Sequence, residues 1–146
     1  LMVVFNCCHE DESIANEMHT KYTRRYSRSA LDHYEFHNEG LADIKGYEYY
    51  GGLSKNINKH GIDSFVNFLA DLQVRGTPDQ VFEQMRDYQE MTNAAGFING
   101  FSFGGMPHEL SKTSMRTFAE KVMPRLKALD VGPAIGGGNP LTIAAE

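Results

Sequence analysis

The chain has 146 residues, enough for one domain with its own core and too few for two ordinary ones. Hydrophobic residues make up 41% and charged residues 23%, a balance that excludes wholesale disorder. A formal charge of −5 and a pI near 5.7 argue against nucleic acid as a partner, because phosphate binding needs a net basic face.

No apolar run approaches the roughly 20 residues of a membrane span, and no signal peptide is expected before the first apolar segment. The two cysteines, Cys7 and Cys8, are adjacent, which suits no ordinary disulfide framework. A reducing, cytoplasmic setting is the expectation. The sequence also starts inside an apolar run, as a piece cut from a longer protein would.

Residues 1–8 (LMVVFNCC) are rich in β-branched and aromatic residues and predict a strand covered on both faces, as in a parallel sheet. From about Glu12 to Phe36 the spacing turns helical, with Ile14, Met18, Tyr22, Tyr26 and Ala30 recurring every four residues. Asp11 or Ser13 can cap its start. Asn38 to Gly61 reads as irregular, punctuated by five glycines and carrying Tyr47, Tyr49 and Tyr50. A connection that long inside a compact domain is usually functional or mobile. Helical spacing resumes through Ile62, Phe65, Val66, Leu69 and Leu72.

Thr77-Pro78-Asp79-Gln80 is a helix-start signature with cap, first-turn proline and capping-box glutamine. It opens a helix over 78–95 with Val81, Met85 and Tyr88 inward and Gly96 placed to end it. A second strand is predicted over 97–103, closed by Gly104-Gly105. A last helix follows over 108–129, with Met115, Phe118, Ala119, Val122 and Leu126 on one side and Pro124 kinking or restarting its final turn. The glycine-rich stretch 131–146 predicts a flexible tail. Two strands so far apart in sequence are expected to be parallel, and two parallel strands do not make a stable sheet, so something else must supply neighbours.

Several clusters invite sharper readings. In Cys7-Cys8-His9-Glu10-Asp11, strand alternation sends Cys7 and His9 to one face and Cys8 and Glu10 to the other, so no metal site is expected. His33 and His37 lie four residues apart without the glutamate placement of the zinc-protease pattern, and read as surface histidines. Lys21, Arg24, Arg25 and Arg28 read as a solvated helix face flanked by acids. Within that group Arg25 lies beside the tyrosine stripe, where it could reach an anionic group. Gly104-Gly105 lacks a lysine or serine/threonine signature and reads as a tight turn. Phe97, Phe101 and Phe103 read as strand-facing core.

Three segments resemble the C-terminal end of the bacterial luciferase-like family of flavin-dependent monooxygenases. They are Gly76-Thr77-Pro78, Gly100-Phe101, and the run from Phe118 to Leu126 (FAEKVMPRL), in this order and spacing. The resemblance covers the chain up to about Ala128. It implies an α/β fold, the C-terminal portion of a barrel of eight strand–helix units, predominantly helical as a fragment. Residues 1–8 and 97–103 would be its last two strands, 9–75 the long helical insertion, and 78–95 and 108–129 the last two helices. Such barrels typically need about 250 residues, so this chain holds only part of one.

The resemblance further implies chemistry with reduced flavin, usually FMN, and molecular oxygen acting on a small organic substrate. A flavin reductase would supply the cofactor. The pocket lies at the C-terminal mouth of the barrel, where the protein contributes shape, orientation and exclusion of water. Tyr26 falls where the luciferase α subunit carries a tryptophan close to the flavin ring, and with Arg25 it forms the candidate cofactor-binding pair. Tyr47 to Tyr50 fall within the loop that closes over the site. The catalytic residues of the family match no position of this sequence and would lie upstream of Leu1. Two alternatives stand beside this reading. One is a deazaflavin-dependent oxidoreductase of the same fold. The other is a non-catalytic helical module, a homo-oligomer that covers its strands by self-association.

Overall fold

The computed structural model describes residues 1–129, so the expected tail at 131–146 lies outside the described residues. A small parallel sheet carries a mainly helical chain. Its strands are β1 (Met2–Cys8), β2 (Val74–Gly76) and β3 (Phe97–Gly100), in the order β2-β1-β3. Register places Asn6 opposite Val74 and Cys8 opposite Gly76 on one side, and Met2 opposite Phe97 and Phe5 opposite Gly100 on the other. The sequence predicts two strands and the structure has three. β2 spans three residues, too few to display a period of two, and its extended form depends on pairing with β1.

Side chains complete what the strands leave unpaired, as buried backbone groups require. β3 ends at Gly100, three residues earlier than expected, because a helix side chain takes over its role. The Ser114 hydroxyl accepts from the Cys8 amide at 2.9 Å and lies 3.4 Å from the Asn6 carbonyl. On the opposite edge the Gln73 side chain accepts from the Phe5 amide at 2.9 Å, below the point where β2 begins. The Gln84 amide caps the outer edge of β2, accepting from the Arg75 amide at 3.3 Å and donating to its carbonyl at 2.6 Å. Among the described residues the outer edge of β3 carries no strand.

The expected first helix is two helices, α1 (Glu12–Met18) and α2 (Arg24–Tyr34), joined by a π turn over His19–Thr23. Asp11 caps α1, accepting from the amides of Ser13 and Ile14 at 2.8 and 3.4 Å. A strict spacing of four overshoots the 3.6-residue α-helical turn, and the wider π turn absorbs part of that drift. α2 stops at Tyr34, where Glu35 takes a left-handed conformation with φ of 52°. His33 and His37 are therefore not one helical turn apart.

The stretch expected to be irregular is largely ordered. It holds a 3₁₀ turn over Glu39–Asp43 and a twelve-residue helix, α3 (Tyr49–His60). α4 (Ile62–Asp71) follows after Gly61. α5 (Pro78–Thr92) begins with the Thr77/Gln80 capping box and ends at left-handed Asn93 rather than at Gly96. The last helix is interrupted at Val122, giving α6 (His108–Lys121) and α7 (Met123–Lys127), with Pro124 in the first turn of α7.

Alternation along β1 divides the core. Val4 and Cys8 face α5 and α6, where Val74, Val81, Met85, Phe118 and Val122 pack with them. Phe5 and Cys7 face the other way, against Met18, Tyr22, Phe103 and Met106. A third cluster of Leu31, Ile57 and Val66 joins α2, α3 and α4. The buried stripe of α6 is Ser111, Ser114, Thr117 and Phe118, while Met115, expected inward, is 49% exposed. Small hydroxyl residues let this helix approach β1 closely enough for Ser114 to reach its backbone. Truncating Phe118, which packs on Phe101 at 5.4 Å between ring centroids, should cost about 3–5 kcal/mol. Met115→Ala should stay within about 0.5 kcal/mol. Urea denaturation of both variants checks the assignment, and equal losses would show that the helix faces are reversed.

Candidate functional site

The first strand was expected to be covered on both faces, and one face is open at its start while covered at Cys7. Val3 is 62% exposed and its register partner Ile98 is 52% exposed. Beside them lies an aromatic platform. The Phe5 ring meets Tyr26 at 4.2 Å and Phe103 at 5.0 Å between centroids, and Tyr26 meets Phe103 at 6.3 Å. Phe5 and Tyr26 are half-buried, so one side of the platform is in contact with solvent.

Three local features build the platform. Gly100 leaves room for the Phe5 ring, whose nearest atom would stand 2.8 Å from any Cβ placed there. Gly104, at φ of 59°, lets the chain after Phe103 press directly on the π turn, where a Cβ would fall inside contact distance of the Tyr22 carbonyl oxygen. That turn itself is unusual in burying His19, Tyr22 and Thr23 together. π turns of this kind are frequent at functional sites.

Of the two residues singled out by sequence, Tyr26 is part of the platform and Arg25 lies at its border. The Arg25 guanidinium reaches the Gly104-Gly105 turn, with Nη1 about 3.3 Å from the position of a Cβ on Gly105. Arg25 is exposed, and the ion pairs among the described residues do not involve it. The rings are tilted to one another by 49° to 72°, so they form an apolar aromatic cluster bordered by a guanidinium, which suits an apolar group that carries an anion. Phe5 was not foreseen as a platform residue. Its one available signal was the alternation that puts it on the face opposite Val4. The Tyr47 to Tyr50 stretch packs elsewhere, with Tyr50 stacked on Phe36 at 5.7 Å.

The thiols offer no nucleophile. Cys7 and Cys8 are fully buried on opposite faces of β1. Burial pushes Cys7 up to about 11, against a weaker opposing contribution from the Thr23 hydroxyl, and pushes Cys8 up to about 12. Cys7 Sγ lies 3.6 Å from Thr23 Oγ1, which ties the strand to the π turn. Among the described residues no group of three His, Cys, Asp or Glu side chains could hold a metal ion. No described helix is long and apolar enough to cross a membrane.

A second polar cluster, missed by the sequence reading, joins the π turn to the end of α4. His19 is 5% exposed, and its Nε2 lies 2.8 Å from the Ala70 carbonyl and 3.1 Å from Arg75 Nη1. One ring nitrogen cannot donate and accept at once. The carbonyl can only accept, so Nε2 carries the proton, and Arg75 is held instead by Asp71 at 3.2 Å. Burial holds the imidazole below its usual range, the Ala70 carbonyl opposes that, and Arg75 adds to the depression.

Set against family models, curated proteins and solved structures, the chain matches none.

The His19 environment has a definite pH sign. Its folded value lies below the unfolded value of about 6.5, so the neutral ring's contribution is complete above that value and fades as pH falls toward the folded one. His19→Gln keeps a donor for the Ala70 carbonyl and removes the titration. Melting temperatures measured from pH 7.5 to pH 5 should fall more steeply for the parent than for H19Q. Parallel curves would remove His19 from the acid response.

Proposed function

We propose that the chain is the C-terminal part of a luciferase-like flavin-dependent monooxygenase. In this reading the Phe5–Tyr26–Phe103 platform forms one wall of a reduced-FMN site. The observation that carries it is the open sheet. Among the described residues the outer edge of β3 carries no strand, and the face bearing Val3 and Ile98 is exposed beside the aromatic platform. Parallel sheets are normally covered on both faces. A barrel supplies that cover by closing the sheet on itself, which turns the open face into an interior and places the platform near the strand ends where such barrels bind.

The residues present fit a flavin on one side. Tyr26 and Phe5, tilted 49° to each other, offer apolar aromatic contacts for a ring system, and Arg25 offers a charge for an anionic group attached to it. When bound, reduced flavin supplies the electrons with which molecular oxygen oxidises a small organic substrate. The chain's own part is to orient the ring and to keep water from one of its faces. Cys7, Met18 and Tyr22 back the platform with apolar groups, which suits that role. The remaining wall, the acid–base groups and most phosphate contacts belong to strands upstream of Leu1. A reductase delivering reduced flavin in the cytoplasm completes the scheme, and the short chain alone should be inactive.

The test is FMN binding followed by fluorescence in a polypeptide extended upstream by six strand–helix units. Tight binding is expected there and not in the 146-residue chain. Tyr26→Ala in the extended protein should weaken binding about tenfold, equivalent to about 1.4 kcal/mol, without lowering cooperativity of unfolding. An extended protein that leaves FMN fluorescence unchanged overturns the assignment.

A further inference from the structure

A groove on the helical side of the sheet lies where the chain passes into residues 130–146. Met85 of α5 lines it on one side, and Phe118 of α6 with Met123 and Leu126 of α7 line it on the other. Its volume is about 420 Å³, room for several apolar side chains. Leu129 lines the same groove, so the sequence that follows starts from the groove itself.

The polar groups of the groove say what kind of molecule suits it. Asn99 lines it, and its Oδ1 accepts from Asn6 Nδ2 at 3.0 Å. That leaves the Asn99 amide hydrogens to donate elsewhere. Gln89 adds a second side-chain amide, and Lys127 adds a cation. Among the described residues Lys127 takes part in no ion pair. A peptide answers all three, with backbone groups for the amides, apolar side chains for the walls and an acid for the lysine.

The sequence after Leu129 contains such a peptide. Leu141-Thr142-Ile143-Ala144-Ala145 is its longest run free of charge, glycine and proline, and Glu146 follows directly. Leu141 lies twelve positions beyond Leu129. A chain of that length can span about 40 Å, several times the spacing of packed helices, so it can return to the groove. Tethering also sets the local concentration of the run at about the millimolar level, which lets a modest contact persist.

We propose that the groove between α5 and α6–α7 is occupied by Leu141–Ala145 of the same chain. Leu141 and Ile143 fill the apolar walls, and Glu146 pairs with Lys127. This contact is separate from the open sheet face and does not depend on the flavin reading.

Photocrosslinking of the full chain identifies the occupant. Benzoylphenylalanine in place of Thr142 abstracts hydrogen readily beside a thioether sulfur, and the chain supplies its own controls. Met85 and Met123 line the groove, whereas Met91 and Met115 are 76% and 49% exposed and lie outside it. Crosslinks are expected at Met85 and Met123 and not at Met91 or Met115. They should form within one chain, as read by mass spectrometry of mixed light and isotope-labelled copies.

Ile143→Asp should lower the yield about tenfold, since burial of an isoleucine side chain supports an equilibrium shift of that size. Lys127→Glu should lower it about twofold, as expected for an exposed ion pair, and Glu146→Lys on that background should restore it. Lys127 is exposed, so these variants should keep the parent's circular dichroism. Equal crosslinking at the exposed methionines overturns the proposal. So do crosslinks formed only between copies, a yield indifferent to Ile143→Asp, or a Lys127→Glu loss that Glu146→Lys does not recover.

Discussion

The whole molecule depends on how the backbone of β1 is satisfied. This seven-residue strand runs through the middle of the sheet, yet its neighbours are only three and four residues long. Strand pairing therefore accounts for part of its length, and two side chains provide the rest. Ser114 replaces β3 above Gly100, Gln73 stands in below β2, and Gln84 caps the outer side of β2 itself. Each replaces a strand carbonyl or amide with a side-chain group of the same polarity, which meets the requirement that buried backbone groups be paired. These contacts also hold the chain together over long distances. Ser114 binds a strand more than a hundred residues earlier, and Gln73 anchors the end of the insertion to the strand that precedes it. Among the described residues the outer edge of β3 has no such device, and it adjoins the exposed Val3–Ile98 face.

A second constraint shapes the same face farther along β1. The turn after Phe103 contacts the backbone of the π turn so closely that only glycine fits at position 104. A regular α-helix would pass the same residues at a different angle. The wider turn rotates Tyr22 and Thr23 inward, so that Thr23 meets Cys7, and leaves Tyr26 half-exposed over Phe5. The platform is thus a product of two backbone irregularities, one glycine turn and one π turn, each at a fixed place in the sequence.

Local chemistry was legible in the sequence, and long-range pairing was not. The Thr77–Gln80 capping box, the Asp11 cap and the split faces of Cys7 and Cys8 follow from residues within four positions of one another. β2 escaped notice because Val74-Arg75-Gly76 has no pattern of its own. Residues Ser102 and Phe103 looked like strand, and they leave the sheet because Ser114 takes the hydrogen bond they would have made. α3 was hidden by Gly51 and Gly52, each of which lowers helix propensity by about 1 kcal/mol relative to alanine. Gly51 is there because Ala42 leaves no space for a Cβ. Of the site, sequence reasoning reached Tyr26 and Arg25 through a family resemblance. It overlooked Phe5, whose ring forms the closest contact of the platform, since a phenylalanine in an apolar strand carries no sign of which face will be left uncovered.

The cores show how these pieces divide labour. Two apolar clusters lie on either face of the sheet, and the third belongs wholly to the insertion. The segment 9–75 meets the sheet through the second cluster, where Met18 and Tyr22 pack with Cys7. Within that segment the buried His19–Ala70 hydrogen bond ties the π turn to the end of α4. The sheet region concentrates its aromatic surface on the side that its own residues do not cover. The Gly104 contact and the Cys7–Thr23 tie fix the backbone beneath that surface. His19, whose imidazole burial holds below its usual range, lies in the π turn that backs the platform. Acid should therefore loosen the hold of that turn on the end of α4.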